Sequence, residues 1–187
     1  MTATLATVVN TNTASNLVQE FSILPEIPRK PRLYLGTEEN APSVFYAWDN
    51  ETSTRQFQKA TRFTGMLTNV EIRSFESEAY GTSHKLVTSF ALEQGGAEVE
   101  IIVGTGTYCA LTLVAALSGL NEAQLKGMIG ISGKAGSKGV VFLSVFADGA
   151  RVANEDAVDA LKQARKKGDQ HEAVSQMVDA ISAALKA

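Results

Sequence analysis

Between Arg62 and Asp148 the hydrophobic period of this chain changes twice. Three segments with the two-residue period of a half-buried strand are followed by one with helical spacing, then by two more strand-like segments. The first strand is RFTGMLTNVEIRSF, Arg62 to Phe75. Val70 and Ile72 share one face and Phe63 and Leu67 the other, so the phase slips near Thr68 and Asn69, and a bulge or coil is expected there. Gly65 suits a strongly bent strand. The second strand is HKLVTSFALE, His84 to Glu93, in which Leu86, Phe90 and Leu92 alternate with Lys85, Ser89 and Glu93. Gln94-Gly95-Gly96 predicts a hairpin turn, because glycine accepts positive φ without a steric penalty. The third strand, AEVEIIVG, turns Val99, Ile101 and Val103 inward and Glu98, Glu100 and Ile102 outward.

After Gly104-Thr105-Gly106-Thr107 the spacing becomes helical. TYCALTLVAALSGL carries Leu111, Val114, Ala115 and Leu117, with Thr105 or Thr107 as N-cap and Gly119 as the stop. A short helical turn over NEAQLKG, capped by Asn121, precedes a fourth strand, Met128 to Ser132. GKAGSKG is read as a loop, and Val140 to Gly149 as a fifth strand that is apolar on both faces. Strand, strand, strand, helix, strand, strand is the order of an OB-fold, a five-stranded, partly open barrel with its helix between the third and fourth strands. The expected class is therefore mainly β. It comprises that barrel, an N-terminal β extension and C-terminal helices.

The flanks set the domain plan. Residues 1–31 read as a flexible tail, rich in Thr, Asn, Ala and Ser, leading into an extended linker punctuated by Pro25, Pro28 and Pro31. Residues 32–150 form the OB-fold domain with its extension. Within it RLYLG and SVFYAWD predict two short strands around the turn TEENAP, and Tyr34, Phe45, Tyr46 and Trp48 concentrate there. Residues 151–187 form a helical tail. Asn154 caps its first helix, Lys162, Arg165, Lys166 and Lys167 stand at the end that favours cations, and Gly168 breaks it. A second helix begins at Asp169 with Val174, Met177, Val178, Ile181 and Leu185 on one stripe, expected to pack on its own domain.

At 187 residues with net charge −3, one domain with extensions is the natural size class. No apolar run reaches the ~20 residues of a spanning helix, and no basic residue precedes Arg29, so neither a membrane protein nor a signal peptide is expected. The single cysteine, Cys109, fits a reducing cytoplasm and reads as a small buried hydrophobe. GISGKAGSKG lacks Walker spacing, because Met128 stands where the first glycine belongs and Ala135 follows Lys134. His84 and His171 lie in different elements and read as solvated surface residues. No metal cluster and no nucleophile elbow is present, so no cofactor, no metal and no enzymatic activity are expected.

A binding site is easier to motivate. OB barrels bind single strands across the second and third strands and flanking loops, using cations for phosphates and aromatic faces for bases. Lys134 and Lys138 sit among glycines in GKAGSKG, the loop ESEAYGTSHK presents Tyr80 and Lys85, and Arg73 lies on the first strand. These five residues are the candidate nucleic-acid site. Phe142 and Phe146 share a face of the fifth strand opposite Val141, Leu143 and Val145, and one set must fill the barrel.

The run FTGMLTNVEIRSFESEAYGTSHKLVTSFALEQGGAEVEIIVGTGTYCALTLVAAL, continued by GMIGISGKAGSKGVVFLSVFADG, resembles OB-fold single-stranded DNA-binding proteins of phage, plasmid or bacterial type. The resemblance covers under half of the chain. It implies non-enzymatic, cooperative coating of single strands with little sequence preference, a homo-oligomer, and replication or recombination proteins as partners. The C-terminus AISAALKA departs from the acidic, Pro-Phe-tipped tail of the bacterial branch. Residues 61–150 also hold six Lys/Arg against eight Asp/Glu, so phosphate binding requires charge to be segregated onto one face. The other class left open is an OB-fold protein–protein or self-assembly module, which the net acidity favours.

Overall fold

A computed structural model of the chain describes residues 30–78, 81–92 and 98–187. The expected flexible tail, most of the Pro-rich linker, the Gln94–Gly96 turn and Tyr80 lie outside the described residues. The strands are β1 (Arg32–Leu35), β2 (Phe45–Asp49), β3 (Thr54–Phe57), β4 (Arg62–Ser77), β5 (Gly81–Ala91), β6 (Glu98–Gly104), β7 (Met128–Ala135), β8 (Val141–Ala147) and β9 (Ala150–Val152). The helices are α1 (Tyr108–Ser118), α2 (Glu122–Leu125), α3 (Glu155–Lys167) and α4 (Gln170–Lys186).

The protein is mainly β, with C-terminal helices. Among the described residues nine strands form one mixed sheet in the order β3-β2-β1-β6-β5-β4-β7-β8-β9. Every pairing is antiparallel except that of β1 with β6. The expected five-stranded barrel corresponds to β4–β8, and the pairings β4–β5, β5–β6, β4–β7 and β7–β8 are present. The ladder does not close on itself. β1 takes the free edge of β6 in parallel, with Arg32 opposite Glu100 and Tyr34 opposite Ile102, so β6 and β8 do not pair.

The sheet instead curls until side chains meet across the gap. Gly133 of β7 faces Val44 so closely that a Cβ there would collide with it, and the same Cβ would lie 3.4 Å from Leu143 and 3.5 Å from Phe45. Residues 58–61 lace the seam. The Gln58 N–H donates to the Phe45 carbonyl at 2.8 Å, and the Gly133 N–H donates to the Thr61 carbonyl at 3.4 Å.

The register shift between Leu67 and Asn69 falls where the sequence phase slips. Its effect on the faces differs from the sequence reading. The inserted residue resets the alternation, so Phe63, Leu67 and Val70 are all buried in one core with Ile72 packed against it, not divided between two faces. Two strands differ from the expectation: β3, which it lacks, and β9, whose Arg151 and Val152 fall in the expected helical tail.

α1 begins at Thr107, whose side chain accepts from the Ala110 N–H, and α2 has a full capping box with Asn121 and Gln124. α1 is buried nearly all round, through Cys109, Ala110, Leu111 and Leu113 to Leu117, the signature of a core helix. It lies between the sheet and α3–α4. Truncating Leu113 or Leu117 there would cost about 2–5 kcal/mol. Val174, Val178 and Ile181 of α4 join the same core, so the helical tail packs on the domain as expected. The helices thereby cover one sheet face and leave the other turned outward. No described helix is long and apolar enough to cross a membrane.

Candidate nucleic-acid interface

The registers assign every strand residue to a face, and the charges separate by face. Among the described strand residues the outward face carries Arg32, Arg55, Arg62, Arg73, Lys85, Lys134 and Arg151 against Glu71, Glu98 and Glu100, a net of +4 in a chain of net −3. The three carboxylates are already neutralised. Glu98 pairs with Lys30, Glu71 with Arg73 at 2.5 Å, and Glu100 with Arg73 at 2.8 Å and Arg32 at 3.1 Å. The hydrogen bond from Lys30 holds the Glu98 carboxyl below its ordinary value, outweighing its partial burial. Among the described residues Arg55, Arg62, Lys85, Lys134 and Arg151 are in no ion pair.

Aromatics follow the same division. Phe45, Phe63 and Phe90 fill the core. Tyr34, Tyr46, Trp48, Phe57, Phe75, Phe142 and Phe146 face outward with the cations. On β8, Val141, Leu143 and Val145 are the set that fills the interior.

Two aromatic–cation clusters flank the seam. On the hairpin side Tyr34 stacks on Tyr46 at 5.7 Å, Phe57 tilts against Tyr46 at 5.4 Å, and the Arg55 guanidinium lies 5.1 Å from the Tyr46 ring centre. On the β7–β8 side the Arg62 guanidinium crosses the bare backbone of Gly130 to stand 4.5 Å from the Phe146 ring centre. A side chain at Gly130 would displace it, since a Cβ there would be 2.7 Å from Arg62 Nη2. Beyond it Lys134 pairs across the strands with Phe142, which meets Tyr108 at 6.1 Å, and Arg165 covers the Tyr108 ring at 4.4 Å. Residues 58–61 join the two clusters, so Phe57 and Arg62 are at most about 17 Å apart.

Four of the five sequence-predicted residues can be placed. Lys134 and Lys138 are exposed, Lys134 at the end of β7 and Lys138 in a 3-10 turn over Ser137–Gly139 with φ 57°. Lys85 pairs across the strands with Arg73 and with Gly104. Gly139 faces Thr37, just past β1, and from the end of β1 to Arg73 there are three strand spacings of ~4.8 Å. The structure thus brings Lys85, Lys138 and Arg73 to one end of the molecule. Arg73 differs from the lysines in being committed to Glu71 and Glu100. Burial works against its charge, but those hydrogen bonds outweigh it and raise its guanidinium pKa. The face of the second and third barrel strands, β5 and β6, is closed at its centre, where Val87, Ser89, Glu100 and Ile102 are buried.

Arg165 was not singled out as a site residue by sequence. The basic end of α3 was read from its helix dipole alone, and its contact with Tyr108 depends on how α3 packs beside α1. The histidines lie in different elements and are exposed, as the sequence reading has it; their rings stack at 4.2 Å and 24°, and the Ser74 hydroxyl lies 3.1 Å from His84 Nδ1. Nearby, the Gln170 side-chain amide donates to the Thr105 carbonyl at 2.7 Å, tying the start of α4 to the end of β6. Cys109 is buried, burial pushes its thiol pKa up, and its Sγ contacts the Val141 carbonyl at 3.2 Å, so it offers no thiolate.

No family model matches the chain, and no curated protein and no solved structure matches it.

Proposed function

We propose that this is a non-enzymatic single-stranded DNA-binding protein, built on an OB-like ladder of β4–β8, that coats single strands with little sequence preference. The observation that carries this reading is the segregation of unpaired cations and aromatic side chains onto the outward sheet face, where each carboxylate is already ion-paired. Phosphates take the cations, and bases take the rings. Neither contact reads base edges, hence the weak sequence preference. The strand follows the seam rather than the centre of β5–β6, with Arg55, Arg62, Lys85, Lys134 and Lys138 as phosphate contacts. Arg73 positions Glu100 instead of touching phosphate. The four barrel pairings support the OB-like assignment, and the setting would be replication or repair.

The test is fluorescence anisotropy of a labelled oligonucleotide over a salt series. Binding at low salt that weakens linearly in log salt is expected, nearly equal for unrelated sequences. Lys134→Ala with Lys138→Ala should flatten the slope by up to about 1.4, two phosphate contacts at ~0.7 each for a single strand. Absence of binding at low salt would overturn the reading.

A second reading, a protein–protein or self-assembly module, draws on Met128 at 51% exposure and on the edges of β3 and β9, which pair with no further strand among the described residues. A concentration-dependent mass with no oligonucleotide binding would favour it.

A further inference from the structure

We propose that the β2–β3 hairpin, outside the barrel strands, carries a base-stacking site centred on Trp48, with a nucleobase of a single strand as its ligand and Arg55 on the adjoining phosphate. This rests on the nucleic-acid reading above and names a contact within it.

Trp48 is the only tryptophan in the chain, and it is 46% exposed on the outward face. Its cross-strand partner is Arg55, which is in no ion pair among the described residues. The hairpin is braced. Tyr34, Tyr46 and Phe57 pack ring on ring on the same face of the ribbon as Trp48. The turn is tied by Asp49, which accepts from the Glu51 N–H at 2.9 Å and from the Thr52 hydroxyl at 2.7 Å. An indole held by a stiff ribbon loses little freedom on binding, and its face suits any base. The guanidinium of this cross-strand partner lies 5.1 Å from the Tyr46 ring centre on the same face and matches a phosphate in a planar fork. Charge selects this occupant, since the face is cationic and its carboxylates are engaged.

The sole tryptophan makes the test direct. Addition of an unlabelled thymidine oligonucleotide should quench the intrinsic emission and saturate in step with the anisotropy of a labelled one. Trp48→Ala should weaken binding by about 5-fold to 150-fold, the loss of one stacked base. Trp48→Phe should recover most of that, and both should leave the salt slope unchanged. Arg55→Gln should flatten the slope by about 0.7. Unchanged emission at saturation, with Trp48→Ala binding as well as the parent protein, would overturn this proposal and leave the broader reading standing. Loss of self-association in Trp48→Ala, without a change in oligonucleotide affinity, would assign the indole to a second copy and also overturn it. No anisotropy change at low salt would overturn both.

Discussion

Gly133 is the point at which the curled sheet meets itself, so a single methyl added there probes the seam. Gly133→Ala places a Cβ into Val44, 3.4 Å from Leu143 and 3.5 Å from Phe45. Overpacking of this kind costs about 1–3 kcal/mol. Alanine also restricts the unfolded chain, which returns up to about 1 kcal/mol, leaving a net loss of roughly 1–2 kcal/mol. Val44→Ala removes two buried carbons at ~0.8 kcal/mol each plus a cavity term, about 2 kcal/mol in all. In the double variant the new methyl fills part of the space vacated by Val44. The double should therefore be more stable than the sum of the singles by about 1–2 kcal/mol. Urea unfolding of the four proteins, at constant m-value, measures this. Costs that add within about 0.5 kcal/mol would mean that the two residues do not touch, and the side-chain closure described above would be wrong.

Arg32→Met with Arg73→Met should destabilise by about 3–5 kcal/mol, because it strands the buried Glu100 carboxylate, whose side chain is 4% exposed; adding Glu100→Gln should restore most of the loss in the same unfolding assay. The Lys30–Glu98 pair gives an acid-sensitive contribution: the folded carboxyl sits below its reference of 4.5, so the contribution is full above that pH and is lost as pH falls through the folded value. Glu98→Gln should remove that part of the dependence between pH 5 and 3, on the order of the carboxylate range; an unchanged acid limb would show that the pair contributes nothing.

Much of the local structure was legible. The phase slip near Thr68 and Asn69 marked a bulge or coil, Asn121 and Asn154 marked helix starts, the first helix start was narrowed to Thr105 or Thr107, and Gly168 marked a helix end. What was illegible depended on partners far away in sequence. The edge strand β3 shows no alternation because Thr54, Arg55 and Gln56 are all exposed. The parallel seat of β1 on β6 leaves no mark in either strand, so the expectation was a five-stranded, partly open barrel and not this longer open sheet. Glu100 reads as a surface carboxylate, and only Arg32 and Arg73, brought from β1 and β4, account for its burial. The candidate site was half legible for the same reason. The lysines of GKAGSKG stand out locally, whereas the cationic face exists only after register sorts the charges, and the balance of residues 61–150 is acidic.

The measurement that bears most directly on that face compares two pairs of arginines with the same formal charge. Arg55 and Arg62 face outward without a carboxylate, whereas Arg32 and Arg73 are held by Glu100 and Glu71. The salt dependence of oligonucleotide affinity should flatten by about 1.4 in Arg55→Gln with Arg62→Gln. In Arg32→Gln with Arg73→Gln, assayed where the protein remains folded, it should stay as in the parent. Equal slopes for both pairs, or a flatter slope only for the second, would contradict the assignment of single-strand binding to the unpaired cations.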